Sequence, residues 1–190
     1  MKKILTFIAS LVLAGAAQAA PIGFEDVATD GDFASLSDLN PYAGLNWSSD
    51  WFAGDTSIDG YANGAHSGAK FAGNYGDDLL SVSSATGFNF AGAWFATPAG
   101  AAAKASWINI SAYDALNHLI GSTGNIAIGD DYQWLTAGFS NVSLLTIASD
   151  SGWYVMDDFT TTAANVPEPG TLLMVGTGLL ALLGRRRSAR

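Results

Sequence analysis

Between residues 20 and 165 apolar and polar positions alternate with a period of two, and no window holds the 3.6-residue period of an amphipathic helix. The pattern predicts a first strand over residues 22–27, a second entered through 42–47, and Trp51 and Phe52 close behind. From Leu79 onward the signal strengthens. Phe88, Phe90 and Trp94 read as one face of a strand, and Ile108 and Ile110 alternate with Asn109 and Ser111 as a half-buried sheet requires. Residues 113–117 read as a hairpin turn into 118–122, since Asp114 and Asn117 flank the reversal. Further strands are expected over 132–139, 142–149 and 152–161. The alanine-rich 98–104 is too short to stand as a helix and reads as a loop. The longest loop is 54–68, with Gly, Asp and Ser throughout, the natural place for a binding loop. Nine or so short strands with frequent turn residues predict an all-β, antiparallel two-sheet sandwich.

The two ends do not follow this pattern. Pro167 and Pro169 bracket Glu168 and prevent a helix from running through them. Twelve uncharged residues follow, Leu172 to Leu183, which as a helix reach about 18 Å against a hydrocarbon core of roughly 30 Å. Arg185, Arg186, Arg187 and Arg190 then form a basic stop on the cytoplasmic side. At the other end Lys2 and Lys3 precede an apolar run, and Ala17-Gln18-Ala19 supplies small residues for signal peptidase, so cleavage is expected between Ala19 and Ala20. Residues 1–19 are thus expected to be a secretory signal peptide, 20–165 an exported domain and 166–190 a sorting segment.

A Pro-Glu-Pro motif, a short apolar helix and an arginine cluster in that order resemble the PEP-CTERM sorting signal of Gram-negative bacteria. The resemblance implies recognition by a membrane-embedded exosortase, cleavage near Pro167, Glu168 and Pro169, and delivery to the cell surface or extracellular matrix after an inner-membrane intermediate held by the C-terminal helix.

Charge within the exported domain is lopsided: two bases, Lys70 and Lys104, against sixteen acids, a formal charge of −14. Such a body repels nucleic acid and anionic lipid and attracts divalent cations. With no cysteine, disulfides, thiolate metal sites and a thiol nucleophile are excluded, and with only His66 and His118 a histidine-rich zinc site is not expected. Oxygen ligands are what the chain has in quantity.

Within this domain Gly23-Phe24-Glu25-Asp26, Tyr42-x-Gly44-Leu45-x-Trp47, Asn63-Gly64-x-x-Ser67-Gly68 and Trp153-Tyr154-Val155-Met156-Asp157-Asp158-Phe159 resemble the jelly-roll ectodomains of PEP-CTERM proteins, which are similar to carbohydrate-binding modules. The resemblance implies a jelly roll whose first and last strands lie side by side and share a structural calcium ion, with Glu25 and Asp26 as ligands on the first and Asp157 and Asp158 on the last. Strand alternation puts Trp153, Val155, Asp157 and Phe159 on one face. A carboxylate there is costly unless a cation neutralises it or it sits hydrated at a strand end. Asp55-x-Ser57-x-Asp59-Gly60 matches half of an EF-hand loop, but His66 stands where a bidentate Glu is needed, leaving at most a calcium-binding turn.

All six tryptophans lie in this domain and most must be core. Trp51 and Tyr61, in or beside the glycine-rich loops, are expected to be exposed and to stack on sugar rings. Enzymatic readings are weak: Gly64-Ala65-His66-Ser67-Gly68 puts Ser at the wrong place for a nucleophile elbow, and no pair of acids stands out. The expected function is that of a secreted, non-catalytic surface or matrix protein associated with exopolysaccharide and binding glycan. The alternatives are a purely structural biofilm or floc component and, third, a carbohydrate-active enzyme.

Overall fold

The computed structural model describes residues 21–75 and 78–163. The expected signal peptide with its Ala19–Ala20 cleavage site, and the sorting segment with Pro167, Glu168 and Pro169, lie outside the described residues. The regular structure described is nearly all strand: β1 (Pro21–Ile22), β2 (Ala34–Ser35), β3 (Asn46–Trp47), β4 (Trp51–Asp55), β5 (Lys70–Asn74), β6 (Leu79–Ala96), β7 (Trp107–Tyr113), β8 (Leu119–Ser122), β9 (Ile126–Ala127), β10 (Gln133–Ser149) and β11 (Val155–Ala163). A single 3-10 turn, Ser37–Leu39, interrupts them. Among the described residues no helix is long and apolar enough to cross a membrane.

The all-β antiparallel expectation holds; the division into two sheets is not confirmed, because hydrogen bonding links all the strands. One hydrogen-bonded sheet runs β2-β4-β5-β11-β6-β10-β7-β8, with β1 on β11, β3 on β6 and β9 on β7. Its continuity comes from β6 and β10, each of which belongs to two neighbourhoods. Residues 79–83 of β6 pair with 144–148 of β10, and within that stretch Ser83 and Val82 also meet β3. Residues 88–96 pair instead with β11 and with 133–142 of β10. Between the two stretches, residues 84–87 of β6 face only Ser143, a break in register where the chain turns. Both parts bury one face in a shared core: Trp47, Leu80, Val82, Ile108, Ile110 and Leu145 from one, Trp51, Phe90, Phe95, Tyr154, Met156 and Phe159 from the other. Trp47 joins them, 5.4 Å from both Trp51 and Phe159.

The sheet portion formed by β4, β5, β11 and the end of β6 is covered on its outer face as well. There Phe52, Phe71, Ala96 and Val155 pack with Phe33, Tyr61, Tyr132 and Trp153 under the 56–69 connection. Gly54 and Gly73 make this possible, because a Cβ on either would stand 2.7 or 2.8 Å from the ring of Phe71 or Phe52.

Three local expectations need correction. The strand expected over 22–27 ends at Ile22, since Phe24 adopts φ 62° and Val27 N–H bonds the Phe24 carbonyl in a turn. Trp94 does not share a face with Phe88 and Phe90: beyond Gly92 the inward positions become Ala93 and Phe95, and Trp94 points out. Trp51, expected outside, is fully buried, with its indole N–H donating to the Ser81 carbonyl at 3.1 Å. The hairpin over 113–122 is as expected, Asp114 Oδ1 accepting the Leu116 and His118 N–H groups.

Truncating Trp51 to Ala should therefore cost about 3–5 kcal/mol. Urea denaturation checks this, and a loss under about 0.5 kcal/mol, the range of surface substitutions, would put the indole back at the surface.

Candidate functional site

The chemistry gathers where β11 bulges. Register lines Asp157 up with Trp94 of β6 and Trp134 of β10, and then slips between Asp157 and Thr160. Asp158 sits at the slip with φ 51°. The added residue brings two consecutive carboxylates to the outer face and restores Phe159 to the core, so Phe159 does not share the face of Asp157 as simple alternation predicts.

Asp157 is fully buried. Its Oδ2 accepts the backbone N–H of His66 at 2.9 Å and of Ser67 at 2.8 Å, with the Ser67 hydroxyl at 3.4 Å, and its Oδ1 accepts the Asp158 N–H at 2.6 Å. It is therefore not a hydrated strand-end residue. It anchors the middle of the 56–69 connection. Burial pushes its carboxyl up from 3.8 to about 6, the N–H donors opposing and the charge of Asp158 adding to the rise.

Around this anchor His66 Nδ1 lies 2.9 Å from Asp158 Oδ2, and Ser67 Oγ donates to Asp158 Oδ1 at 2.8 Å. The imidazole stacks on Trp94, centroids 3.9 Å apart and planes 13° from parallel, with Tyr132 edge-on at 5.6 Å. The Tyr132 hydroxyl donates to the Gly64 carbonyl, and its pKa is raised by burial and by the charges of Asp157 and Asp158. Because the Ser67 hydroxyl is held by carboxylates and not by the imidazole, this trio is no nucleophile relay. The ligand atoms of His66, Asp157 and Asp158 lie within 4.8 Å of one another.

The four expected calcium ligands do not form one cluster. β1 does pair with β11, Ile22 opposite Phe159. Glu25 Oε1, however, accepts the Ala69 and Lys70 N–H groups at 2.8 Å each, and Asp26 Oδ1 accepts the Tyr42 hydroxyl at 2.7 Å. Glu25, Asp26 and Asp158 border a shared cavity of about 700 Å³ with Tyr42 and Ser67, while Asp157 lies behind it. Asp55 is also occupied, by Thr29, Gly31 and Ser57, which hold its carboxyl below the usual range.

Tyr61, expected outside, is half-buried and stacks on Phe71 at 5.3 Å and 3°. The aromatic residue that does stand out is Tyr75, 65 % exposed and the only Phe, Tyr or Trp in the exposed class among the described residues. Neither His66 nor Tyr75 was singled out as a site residue. Tyr75 in Asn74-Tyr75-Gly76-Asp77-Asp78, an aromatic residue among turn formers, carried a readable signal.

The chain carries a PEP-CTERM protein-sorting motif over residues 165–187. That motif is the mark of exported, exosortase-processed proteins of Gram-negative bacteria. No curated protein matches the sequence. Among solved structures the chain is similar to a DUF4465 family protein from Bacteroides caccae, at 12 % identity and a TM-score of 0.49 over 83 % of this chain and 98 % of that one. It is similar also to the CBM22-1 xylan-binding domain of Paenibacillus barcinonensis Xyn10C, at 15 %, 0.43, 80 % and 100 %. A third likeness is to TmCBM61 in complex with beta-1,4-galactotriose, at 13 %, 0.39, 63 % and 86 %.

The buried carboxylate gives the fold a pH dependence of definite sign. Between 3.8 and about 6 the folded chain binds a proton that the unfolded chain has lost, so this group's contribution falls as pH rises through that window, by about 3 kcal/mol in all. Asp55, Asp114, Asp130 and Asp150, whose values are lowered, act oppositely, and their stabilisation is lost as pH falls below 3.8. Denaturation free energies should peak near pH 4 and decline towards neutrality. Asp157→Asn should be less stable overall, since its amide meets N–H donors, and should lose the decline. An unchanged slope in that variant would assign the decline to other groups.

Proposed function

We propose that this protein is a non-catalytic, exosortase-sorted component of the cell surface or extracellular matrix, associated with exopolysaccharide. The observation that carries the reading is the sorting motif at residues 165–187, joined to an all-β domain whose most buried carboxylate is engaged in holding a loop. Asp157 is raised, as a general acid would be, but its oxygens are aimed at backbone N–H groups and none of its surface is open to a substrate. Association with polysaccharide is supported by Tyr75, an exposed ring on a domain of charge −14 that stays away from anionic polymers.

Calcium enters as part of the same proposal, with an altered ligand set. Glu25, Asp26 and Asp158 offer oxygen donors at the rim of one cavity, a donor chemistry that suits a hard cation, whereas Asp157 belongs to the loop anchor. A purely structural matrix role is the second reading. It is favoured by the tryptophans, all six of which are buried or half-buried, leaving none as a binding platform.

Intact mass tests the sorting reading. In a host with an exosortase, the surface protein should run from Ala20 to near the Pro-Glu-Pro motif, and Glu168→Gln should leave the tail attached and the protein in the inner membrane. Surface protein that retains Leu172 to Leu183 would overturn it. For calcium, a ligand that binds only the folded state at a hundred times its dissociation constant adds about 2.7 kcal/mol. Thermal melts with calcium and with chelator should differ by several degrees, and Asp26→Asn should remove most of the difference. Identical wild-type melts would retire the site.

A further inference from the structure

We propose that the groove lined by Phe33, Ser35, Ser49, Phe52 and Tyr75 is a subsite for one uncharged pyranose ring of a neutral polysaccharide, stacked on Tyr75. The proposal rests on the reading that this domain meets polysaccharide, and it names where and which kind. The groove lies at the β2 edge of the sheet, between the β3–β4 connection and the end of β5, well removed in sequence from the Asp157 anchor.

Three features of the groove select that occupant. The first is the ring. Tyr75 stands nearly perpendicular to Phe52 (6.2 Å, 85°) and to Trp153 (5.9 Å, 80°), and its N–H donates to the Asp50 carbonyl at 2.9 Å. Two neighbours and a backbone bond thus fix the ring while most of it remains open to solvent, so a flat apolar face can bind on it with little loss of side-chain freedom. The axial C–H face of a pyranose is such a surface.

The second feature is size and polarity. At about 240 Å³ the groove is smaller than the roughly 300–1,000 Å³ of sites that enclose drug-sized ligands, and it suits a single ring. Hydroxyls stand on its rim: Ser35 Oγ is 2.9 Å from Ser37 Oγ, and Ser49 Oγ donates to Asp50 Oδ2 at 2.9 Å. Hydroxyls and a carboxylate both give and take the hydrogen bonds that vicinal sugar hydroxyls offer.

The third feature is charge. No Lys or Arg lines the groove, Asp50 stands beside Ser49, and the exported domain carries −14. A uronic acid or sulfated sugar placed here would meet carboxylate repulsion with no cation to offset it, so the field selects neutral rings.

Affinity electrophoresis of the exported protein in gels containing hydroxyethylcellulose, neutral galactan or alginate tests this. Wild type should be retarded by at least one neutral polymer and not by alginate in chelator. Tyr75→Ala should weaken retardation roughly tenfold or more, Tyr75→Phe should stay within about threefold because the ring is kept, and Ser49→Phe should block binding without touching Tyr75. The melting temperature of each variant should stay near that of wild type, because the altered positions are exposed. Tyr75→Ala and Ser49→Phe proteins that bind like wild type would overturn the subsite and leave the polysaccharide reading intact. Retardation by neither neutral polymer would overturn both, and preference for alginate in chelator would overturn the neutral-ring assignment.

Discussion

A carboxylate with no exposed surface holds the outer layer of this domain in place. Removing the charge of Asp157 from water is expensive, and the structure offsets it with backbone N–H donors from His66, Ser67 and Asp158, two of them from a loop some ninety residues away in sequence. The rise of its pKa shows that the offset is incomplete. The dependence runs both ways: without the loop the carboxylate would lose its partners, and without the carboxylate two N–H groups under Trp94 and Tyr132 would be left unpaired. The stacked imidazole of His66 and the hydroxyl of Tyr132 close over the same point. The cluster thus clasps the loop to the sheet.

The clasp depends in turn on an irregularity. A regular β11 would send Asp158 inward among Met156 and Tyr154, where nothing could satisfy it. The bulge turns it outward and returns Phe159 to its place against Phe90 and Trp47. The same device, at larger scale, lets β6 and β10 serve both parts of the sheet. Their register breaks at 84–87 and along 136–144 redirect the strands without ending them, so a single hydrogen-bonded sheet can wrap one core.

Much of this was legible in the sequence, and the failures share a cause. Period-two alternation located β6, β7, β10 and β11, and Asp and Asn placed the 113–118 turn, because these signals are local. The face of a residue beyond a bulge is not local. Trp94, Phe159 and the paired aspartates were misassigned where one inserted residue inverts alternation. Trp51 and Tyr61 were misjudged for a related reason: glycine-rich surroundings suggested exposure, whereas Gly54, Gly64 and Gly73 are there to admit the rings of Phe71 and Phe52. Glu25, Asp26 and Asp158 border one cavity beside the pairing of the first and last strands. What the sequence did not display was competition for their oxygens by backbone N–H groups and the Tyr42 hydroxyl.

The distribution of what remains exposed bears on function more than any cluster does. In an exported domain carrying sixteen acids and two lysines, electrostatics disfavours anionic partners over nearly the whole surface, and both lysines are engaged, Lys70 with Val27 and Thr29 and Lys104 with Asp130. For a partner that carries no positive charge, attraction must then come from apolar contact or from neutral hydrogen bonding. The aromatic residues are largely withdrawn into two packed layers, which stabilises a sheet this irregular but leaves few contacts to offer. Tyr75 escapes because it follows the last residue of β5, beyond the point where the outer layer ends, and Phe52 and Trp153 reach it only edge-on. The outer layer that half-buries Tyr61 is thus the same layer that braces Tyr75, while Trp51 is taken into the inner core.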